Sequence, residues 1–277
     1  MQTISRRQLV GAACASALGG GLPWAHAQDA ERIGILMLHG KNPAAPTAPV
    51  FAPQKRLFEQ EGWLVQLPDM PWSYNRYLDG NWAQAMAEIA THVHSLRSQG
   101  ATRIVLVGHS MGAPAAMGFA AGGGDVQALV LLAPGHIPKG YDEWPGLKPV
   151  HDSIAHARAL VAEGKGDVRE RFTDINQGRQ LTAVTTAQHY LSYFDPTSDA
   201  EMSVTAPKLP AQLPVLTVVG EKDPLFTRLR AYYVDSLPAN PHTQYLEVAG
   251  GHLDTPRIAH EAVVRWIQGA VQTAVKP

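Results

Sequence analysis

The chain has 277 residues, of which 45% are hydrophobic and 17% are charged, so it can bury a substantial core and extensive disorder is not expected. Its 23 Lys and Arg residues are balanced by 24 Asp and Glu residues, and this balance argues against nucleic acid as a partner. The length suits one α/β domain with an insertion.

The first 27 residues have the features of an export signal. Arg6 and Arg7 form a twin-arginine pair, a weakly apolar run follows over residues 10–22, and residues 25–27 (Ala-His-Ala) match an A-x-A cleavage pattern. We therefore expect a signal peptide over residues 1–27, a mature domain over residues 28–277, and export to the periplasm or the extracellular space. No later apolar run reaches the roughly 18 uninterrupted residues of a membrane span, so none is expected.

Apolar runs of strand length alternate with helical patterns along the rest of the chain. Strands are predicted over residues 33–38, 63–67, 103–107, 128–133, 215–219 and 245–248, and those over 33–38 and 128–133 are expected to be buried. Helices are predicted over residues 51–61, 81–99, 113–121 and 224–237, and from Thr255, as N-cap, to about residue 275. This alternation predicts an α/β fold with a mostly parallel, doubly wound sheet, whose ligands gather at the carboxyl ends of the strands.

The interval of residues 135–214 interrupts this alternation. It contains helical patterns over residues 150–164 and 180–194 but no strong apolar strand. Because it lies between two core strands, we expect it to form a helical cap insertion over the ligand-binding edge of the sheet.

Residues 108–112 form a G-x-S-x-G pentapeptide, Gly-His-Ser-Met-Gly, between a predicted strand and a predicted helix. A serine at the apex of such a strand–turn–helix connection forms a nucleophile elbow. The turn is so sharp that a side chain at Gly108 or Gly112 would collide with neighbouring backbone. The pattern therefore predicts an exposed, nucleophilic hydroxyl on Ser110.

Two further motifs follow predicted strands and supply the groups that a nucleophilic serine requires. A serine hydroxyl at its free pKa is a poor nucleophile and needs a general base. Asp223 comes directly after the strand at residues 215–219, and His252 comes directly after the strand at residues 245–248. The chain order is therefore Ser, Asp, His, as in one known arrangement of a catalytic triad.

On these motifs, residues 33–275 resemble the α/β-hydrolase superfamily of serine hydrolases, the esterases and lipases among them. The resemblance implies an α/β-hydrolase fold in which Ser110 attacks a carbonyl carbon, His252 transfers the proton and Asp223 orients the imidazole. The family often begins with two antiparallel strands, whereas here the first strand follows the predicted cleavage site within a few residues. We therefore expect a sheet of about six strands, flanked by helices.

The resemblance also implies an oxyanion hole made of two backbone N–H groups. One donor is expected to be Met111, the residue after the nucleophile. The other is expected to be Lys41, because His39-Gly40-Lys41 resembles the HG-x turn that follows the first strand in the family. No cofactor or metal ion is predicted, since no Cys, His and Asp residues have metal-ligand spacing.

Several of these residues also have simpler interpretations. Asp223 could cap the following helix, His252 could be an ordinary loop histidine, and Asp254 is expected to belong to the Thr255 cap. His39 and His109 are expected to satisfy backbone groups of loops. Aromatic residues that could line a pocket or pack between cap and core are Trp72, Tyr74, Tyr77, Trp144, Tyr190, Tyr193 and Phe194, and Arg76 could bind a carboxylate or remain solvated.

The favoured function is that of an exported, carboxylesterase-like serine hydrolase. It would cleave a small-to-medium carboxylic ester through a Ser-His-Asp triad and an acyl-enzyme. A peptidase or amidase of prolyl-peptidase type would use the same triad, and a non-catalytic binding protein could use the same scaffold. The expected partner is thus a small-molecule ester or amide, with no nucleic acid and no stable membrane span.

Overall fold

The computed structural model describes residues 31–41 and 50–272. The predicted signal peptide at residues 1–27 lies outside the described residues, so its prediction stays a prediction. Within the described part of the chain, no helix is both long and apolar enough to cross a membrane.

Six parallel strands form the central sheet, and two antiparallel strands form a separate hairpin. The strands are β1 (Ile33–Leu38), β2 (Leu64–Gln66), β3 (Arg103–Ser110), β4 (Ala128–Pro134), β5 (Arg169–Asn176), β6 (Arg179–Thr186), β7 (Val215–Gly220) and β8 (Gln244–Val248). The sheet has the order β2-β1-β3-β4-β7-β8, and each neighbouring pair is parallel. The predicted six-stranded α/β fold is confirmed.

The helices flank this sheet or belong to the insertion after β4. They are α1 (Ala52–Gln60), α2 (Trp82–Ser98), α3 (Gly112–Ala121), α4 (Pro138–Glu143), α5 (Lys148–Ala162), α6 (Ala187–Phe194), α7 (Met202–Thr205), α8 (Leu229–Tyr232), α9 (Thr255–Ile258) and α10 (His260–Gln272). Helix α2 begins with a capping box, in which Asn81 accepts from the Gln84 N–H and the Gln84 side chain accepts from the Asn81 N–H.

The core is divided between the two faces of the sheet because successive strand residues point to opposite sides. In β1, Leu36 and Leu38 pack with residues of α2, α3 and the insertion. Ile35 and Met37 of the same strand pack with residues of α1 and α10 instead. Such continuous apolar runs are typical of parallel strands that are covered on both faces.

The insertion contains a β-hairpin that the sequence analysis did not predict. The helical pattern at residues 150–164 corresponds to α5, but residues 180–186 belong to β6, and only the second half of the predicted helix at residues 180–194 is helical, as α6. Strands β5 and β6 pair in antiparallel register from Arg169 opposite Thr186 to Asn176 opposite Arg179. The insertion therefore combines the expected helices with this hairpin, and the predicted helix over residues 180–194 was wrong in its first half.

Two other predicted helices differ from the structure. Residues 224–237 form turns, the short helix α8 and a 3₁₀ turn at residues 234–236. Asp223 Oδ1 accepts from the Leu225 N–H, and the Tyr233 hydroxyl bonds to Thr217 Oγ1 at 2.8 Å. Thr255 is the first residue of α9 rather than its N-cap, and its hydroxyl donates to the Gly251 carbonyl.

The connection from β3 to α3 is tight enough to require glycine at two positions. A Cβ atom on Gly108 would lie 2.2 Å from the Gly112 carbonyl oxygen, and a Cβ atom on Gly112 would lie 1.9 Å from the Leu38 carbonyl oxygen. Both obstacles are backbone atoms, so they cannot rotate away as a flexible side chain would. The collision expected from the sequence is confirmed, and it explains how the start of α3 comes to lie against the end of β1.

Replacement of Gly112 by alanine should therefore be costly. We expect Gly112→Ala to reduce the free energy of unfolding by about 3 kcal/mol or more in urea denaturation, because relief of the clash requires α3 to move away from β1. Gly122→Ala at the other end of α3 is the control: its Cβ atom would have no neighbour nearer than 3.4 Å, so its effect should be small. Equal stability of the two variants would contradict this account of the connection.

Candidate active site

Ser110 lies at the apex of the turn between β3 and α3 in a strained backbone conformation. Its φ angle is 52°, in the left-handed region that non-glycine residues seldom adopt. Because α3 begins two residues later, the positive end of that helix points at the serine. The predicted strand–turn–helix geometry is present, and strain of this kind is typical of nucleophile elbows.

Asp223 and His252 come together from the ends of neighbouring strands. Asp223 follows β7, His252 follows β8, and Nδ1 of His252 lies 2.7 Å from Oδ2 of Asp223. Both side chains are buried. Oδ1 of Asp223 accepts from the Leu225 N–H at 2.8 Å, so the carboxylate is held on both oxygens. A carboxylate so placed fixes the tautomer in which Nε2 of the imidazole is free to accept a proton.

The imidazole of His252 and the hydroxyl of Ser110 both lie next to Gly135. A Cβ atom on Gly135 would lie 2.9 Å from Ser110 Oγ and 3.4 Å from His252 Cε1. Nε2 of His252 is buried and has no hydrogen-bond partner among the described residues. The structure thus brings the two groups together without a hydrogen bond between them, and in proteins without substrate such bonds are often long.

The three residues border one cavity of about 420 Å³ between the sheet and the insertion. Its other lining residues come from the loop after β1, from the segment after β4, from the hairpin turn and from the segment after β7; they are Lys41, Gly135, His136, Ile137, Tyr141, Trp144, Ile175, Asn176, Gln177, Gly178, Pro224 and Leu225. This volume and mixed lining are typical of a site for a small molecule.

The two residues predicted to supply the oxyanion donors lie close to Ser110, and one of them, Lys41, borders the cavity. Met111 directly follows Ser110 at the start of α3, and Lys41 borders the cavity from the loop after β1. A Cβ atom on Gly40 would lie 2.8 Å from the Cβ atom of Ser110, so glycine at this position allows the loop to approach the nucleophile closely. The backbone of Lys41 is therefore brought next to Ser110.

Two buried histidines hold the loops around the site, as the sequence analysis expected. Nδ1 of His39 donates to the Gly40 carbonyl at 2.7 Å, and Nε2 accepts from the Met70 N–H. Nε2 of His109 donates to the His252 carbonyl at 3.0 Å. Burial lowers the pKa of both side chains, that of His109 to about 3, so both are neutral near pH 7.

Most of the other side chains singled out from the sequence serve packing or ion pairing rather than the site. Trp144 borders the cavity, whereas Tyr74 is exposed and the remaining aromatic candidates pack in the core or at its edge: Trp72, Tyr77, Tyr190, Tyr193 and Phe194. Arg76 forms ion pairs with Asp79 and Glu88. Asp254 precedes α9 without a capping hydrogen bond and does not approach His252 Nδ1, which is bonded to Asp223.

The insertion also brings residues to the site that no motif in the sequence indicated. Tyr141, Asn176 and His136 border the cavity, and Asp174 pairs with the Lys41 ammonium group. Burial, followed by the nearby charge of Lys41, lowers the pKa of His136 well below its usual value. In the described residues, no group of three or more His, Cys, Asp or Glu side chains is arranged to hold a metal ion.

The chain matches the model of a known protein family over most of its length. Residues 35–266 match the model of the alpha/beta hydrolase family. The chain belongs to this family.

Solved structures of several other proteins share this fold at low sequence identity. One is a monoacylglycerol lipase from Paleococcus ferrophilus, with 18% identity, a TM-score of 0.62, and 86% of this chain and 94% of that chain covered. A second is described with the metagenome-derived lipolytic enzymes LipS and LipT, with 16% identity, a TM-score of 0.59, and 86% of this chain and 94% of that chain covered. A third is a thermostable carboxyl esterase from Bacillus coagulans, with 15% identity, a TM-score of 0.58, and 87% of this chain and 91% of that chain covered. No curated protein matches the chain.

The buried neutral state of His109 in this hydrolase makes stability depend on pH. Between its ordinary pKa of about 6.5 and its folded pKa of about 3, His109 is protonated in the unfolded chain but not in the folded one. Stability should therefore fall as the pH falls below 6.5, by about 1.4 kcal/mol per pH unit from this residue at pH 5.

The variant His109→Gln keeps a neutral donor for the His252 carbonyl but removes the titration. Urea denaturation from pH 4.5 to pH 5.5 should give a slope of unfolding free energy against pH that is smaller than in the wild type by about 1.4 kcal/mol per unit. At pH 8 the two slopes should agree, since neither state then binds the proton. Equal slopes at pH 5 would show that His109 titrates in the folded state much as it does in the unfolded chain.

Proposed function

We propose that this alpha/beta hydrolase is a serine esterase that cleaves small-to-medium carboxylic esters. The observation that carries the proposal is the buried Asp223–His252 pair, which shares one cavity with the strained Ser110. The Nε2 atom of His252 has no hydrogen-bond partner in the described part of the chain. It is therefore free to accept the proton of a serine hydroxyl once a substrate brings the two together.

In the acylation step, Ser110 Oγ attacks the ester carbonyl carbon while Nε2 of His252 takes the hydroxyl proton. The Asp223 carboxylate stabilises the imidazolium ion that forms. The negative charge that develops on the carbonyl oxygen is stabilised by the N–H groups of Met111 and Lys41 and by the start of α3. The intermediate then collapses, the alkoxide takes the proton from His252, and the alcohol leaves an acyl group on Ser110.

In the deacylation step, a water molecule takes the place of the alcohol. His252 removes a proton from this water, which attacks the acyl carbon and forms a second oxyanion in the same position. Ser110 Oγ then leaves and recovers the proton from His252. The products are a carboxylic acid and the free enzyme, so one set of groups serves both steps.

The cavity and the structural relatives both support an ester substrate of limited size. A volume of about 420 Å³ accommodates a small-to-medium molecule. Its apolar side chains, Ile137, Trp144, Ile175 and Leu225, suit an apolar acyl or alcohol group. Two of the structures with this fold are named a carboxyl esterase and a monoacylglycerol lipase, which favours ester chemistry over the alternatives.

Ser110→Ala tests the nucleophile. We expect this variant to keep its circular dichroism spectrum and to lose about 10³-fold or more in kcat on p-nitrophenyl butyrate. A fluorophosphonate probe should label the wild type and not the variant. Ser203→Ala, which changes a serine whose hydroxyl bonds to Glu201 outside this cavity, should label like the wild type. Equal labelling of Ser110→Ala and the wild type would show that another residue is the nucleophile, and a wild type that does not label would favour a binding protein.

Peptidase or amidase activity is the competing outcome, because the same triad cleaves amides. A panel of p-nitrophenyl esters of increasing acyl length, compared with aminoacyl-p-nitroanilides, distinguishes the two. We expect kcat/KM to be higher for the esters, with a maximum at short or medium acyl chains. A consistent preference for the anilides would replace the esterase assignment.

We also propose that the enzyme is exported through the twin-arginine pair at Arg6 and Arg7. N-terminal sequencing of the exported protein should begin at Gln28, after the A-x-A pattern. Replacement of both arginines by lysine should leave the full chain inside the cell, whereas lysine at Arg32 in the mature chain should not affect export. A protein that keeps residues 1–27 after export would contradict the proposed cleavage.

A further inference from the structure

Lys41 forms a buried ion pair with the insertion that the proposed reaction does not use. Its Nζ atom lies 2.7 Å from Oδ1 and 2.8 Å from Oδ2 of Asp174. Only 6% of the lysine side chain and 1% of the aspartate side chain are exposed. Lys41 belongs to the loop after β1, whereas Asp174 lies on β5, so the pair joins the core of the hydrolase to the hairpin.

The surroundings of this pair provide partners for both charges. Asp174 also accepts from the Ile175 N–H and from the Tyr77 hydroxyl. The ammonium group lies 5.1 Å from the ring centre of Phe194 and 5.5 Å from that of Tyr141, within the range of cation–π attraction. Burial lowers the pKa of Lys41, and the charge of Asp174 opposes that shift.

A buried ion pair of this kind contributes little net stability, because desolvation of both charges offsets their attraction. Separation of the two partners is nevertheless costly, since it leaves an uncompensated charge in the interior. The pair is therefore better suited to fixing the position of two segments than to stabilising the fold.

The same hairpin holds Lys41 at a second point. Nδ2 of Asn176 donates to the backbone carbonyl oxygen of Lys41 at 3.2 Å. Asp174 and Asn176 are two residues apart on β5, so their side chains project from the same face of the strand. One strand thus contacts both the end of the Lys41 side chain and its backbone.

The hairpin is built to present these two residues in a defined register. Asn176 and Arg179 are the last paired residues, and the two-residue turn between them has positive φ angles, 51° at Gln177 and 73° at Gly178. These angles match the type I′ turn, whose twist suits antiparallel strands. The turn itself borders the cavity next to Ser110.

We propose that Asp174 and Asn176 are positioning residues, which hold Lys41 so that its backbone N–H points at the oxyanion of the reaction. The proposal rests on the proposed function, in which that N–H is one of the two donors. Donors of this kind act only when they lie close to the position of the developing charge, so a small displacement of Lys41 reduces the rate of the chemical step. The insertion would thereby complete the catalytic site as well as enclose the substrate.

The most direct test is the variant Asn176→Ala, which removes the contact to the Lys41 carbonyl without leaving a buried charge. On p-nitrophenyl butyrate we expect kcat to fall about 10-fold or more while KM stays within about 2-fold, because the oxyanion forms only after binding. The inhibition constant of butaneboronic acid, which forms a tetrahedral adduct with a serine, should rise in proportion to the loss in kcat/KM.

The ion pair is tested by the double variant Lys41→Met, Asp174→Asn, which removes both charges and keeps the backbone N–H of residue 41. The single variant Asp174→Asn leaves Lys41 buried without its counter-ion and can fail to fold, so the double variant carries the test. It should show the same pattern as Asn176→Ala, namely a lower kcat, a similar KM and weaker inhibition by the boronic acid.

Thr185→Val is the matched control for stability. Thr185 lies on β6, and its buried hydroxyl donates to the Leu78 carbonyl at 2.7 Å, so it also ties the hairpin to the core but does not contact Lys41. We expect this variant to lower the melting temperature and to keep kcat within about 2-fold of the wild type, measured well below that temperature.

Three results would overturn the proposal. If both test variants lose stability but keep kcat, the hairpin contacts are structural only. If KM rises and kcat is unchanged, the hairpin forms the pocket wall but does not position the donor. If Thr185→Val loses as much kcat as Asn176→Ala, the effect is a general one. Absence of Ser110-dependent turnover in the wild type would instead overturn the proposed function, and this proposal with it.

Discussion

The close packing of three backbone segments around Ser110 is the constraint on which the site depends. The start of α3 lies against the Leu38 carbonyl, the loop after β1 lies against the serine through Gly40, and the segment after β4 lies against its hydroxyl through Gly135. At each of the three glycines, Gly112, Gly40 and Gly135, a Cβ atom would approach another atom to less than 3.0 Å. A side chain at Gly40 or Gly135 would therefore displace Ser110, the nucleophile of the proposed reaction.

Two neutral, buried histidines support this packing from behind. His39 bonds to the Gly40 carbonyl and to the Met70 N–H, so it links the loop after β1 to the segment that follows β2. His109 bonds to the carbonyl of His252 and so holds the base from the other side. A charge on either ring would cost free energy in this buried setting, and burial keeps their pKa values low. The loops are therefore held by hydrogen bonds between neutral groups, whereas the contact between the loop after β1 and the insertion includes a buried ion pair, Lys41 with Asp174.

Much of the core fold could be predicted from the sequence because its signals are local. Strands such as residues 33–38 are continuous apolar runs, and buried strands of a parallel sheet require such runs. The elbow and the two motifs after β7 and β8 combine a residue type with a strand end, so Ser110, Asp223 and His252 could be proposed without coordinates. The insertion was harder. The segment of β6 was predicted as part of a helix, and the Gln-Gly pair before it is a weaker hairpin signal than the Asn-Gly or Asp-Gly pair of most such turns. The partner of Lys41 could not be predicted, because 133 residues separate it from Asp174 and neither residue belongs to a local motif.

A crystal structure of the enzyme inactivated by an alkyl phosphonate would test the central claim most directly, since the adduct on Ser110 carries an oxygen where the oxyanion would form. We expect this oxygen to lie about 3 Å from the backbone nitrogens of both Met111 and Lys41, and Nε2 of His252 to come within hydrogen-bonding distance of an oxygen of the adduct. A phosphonyl oxygen that points away from both nitrogens, or an imidazole that stays without a partner in the adduct, would contradict the account.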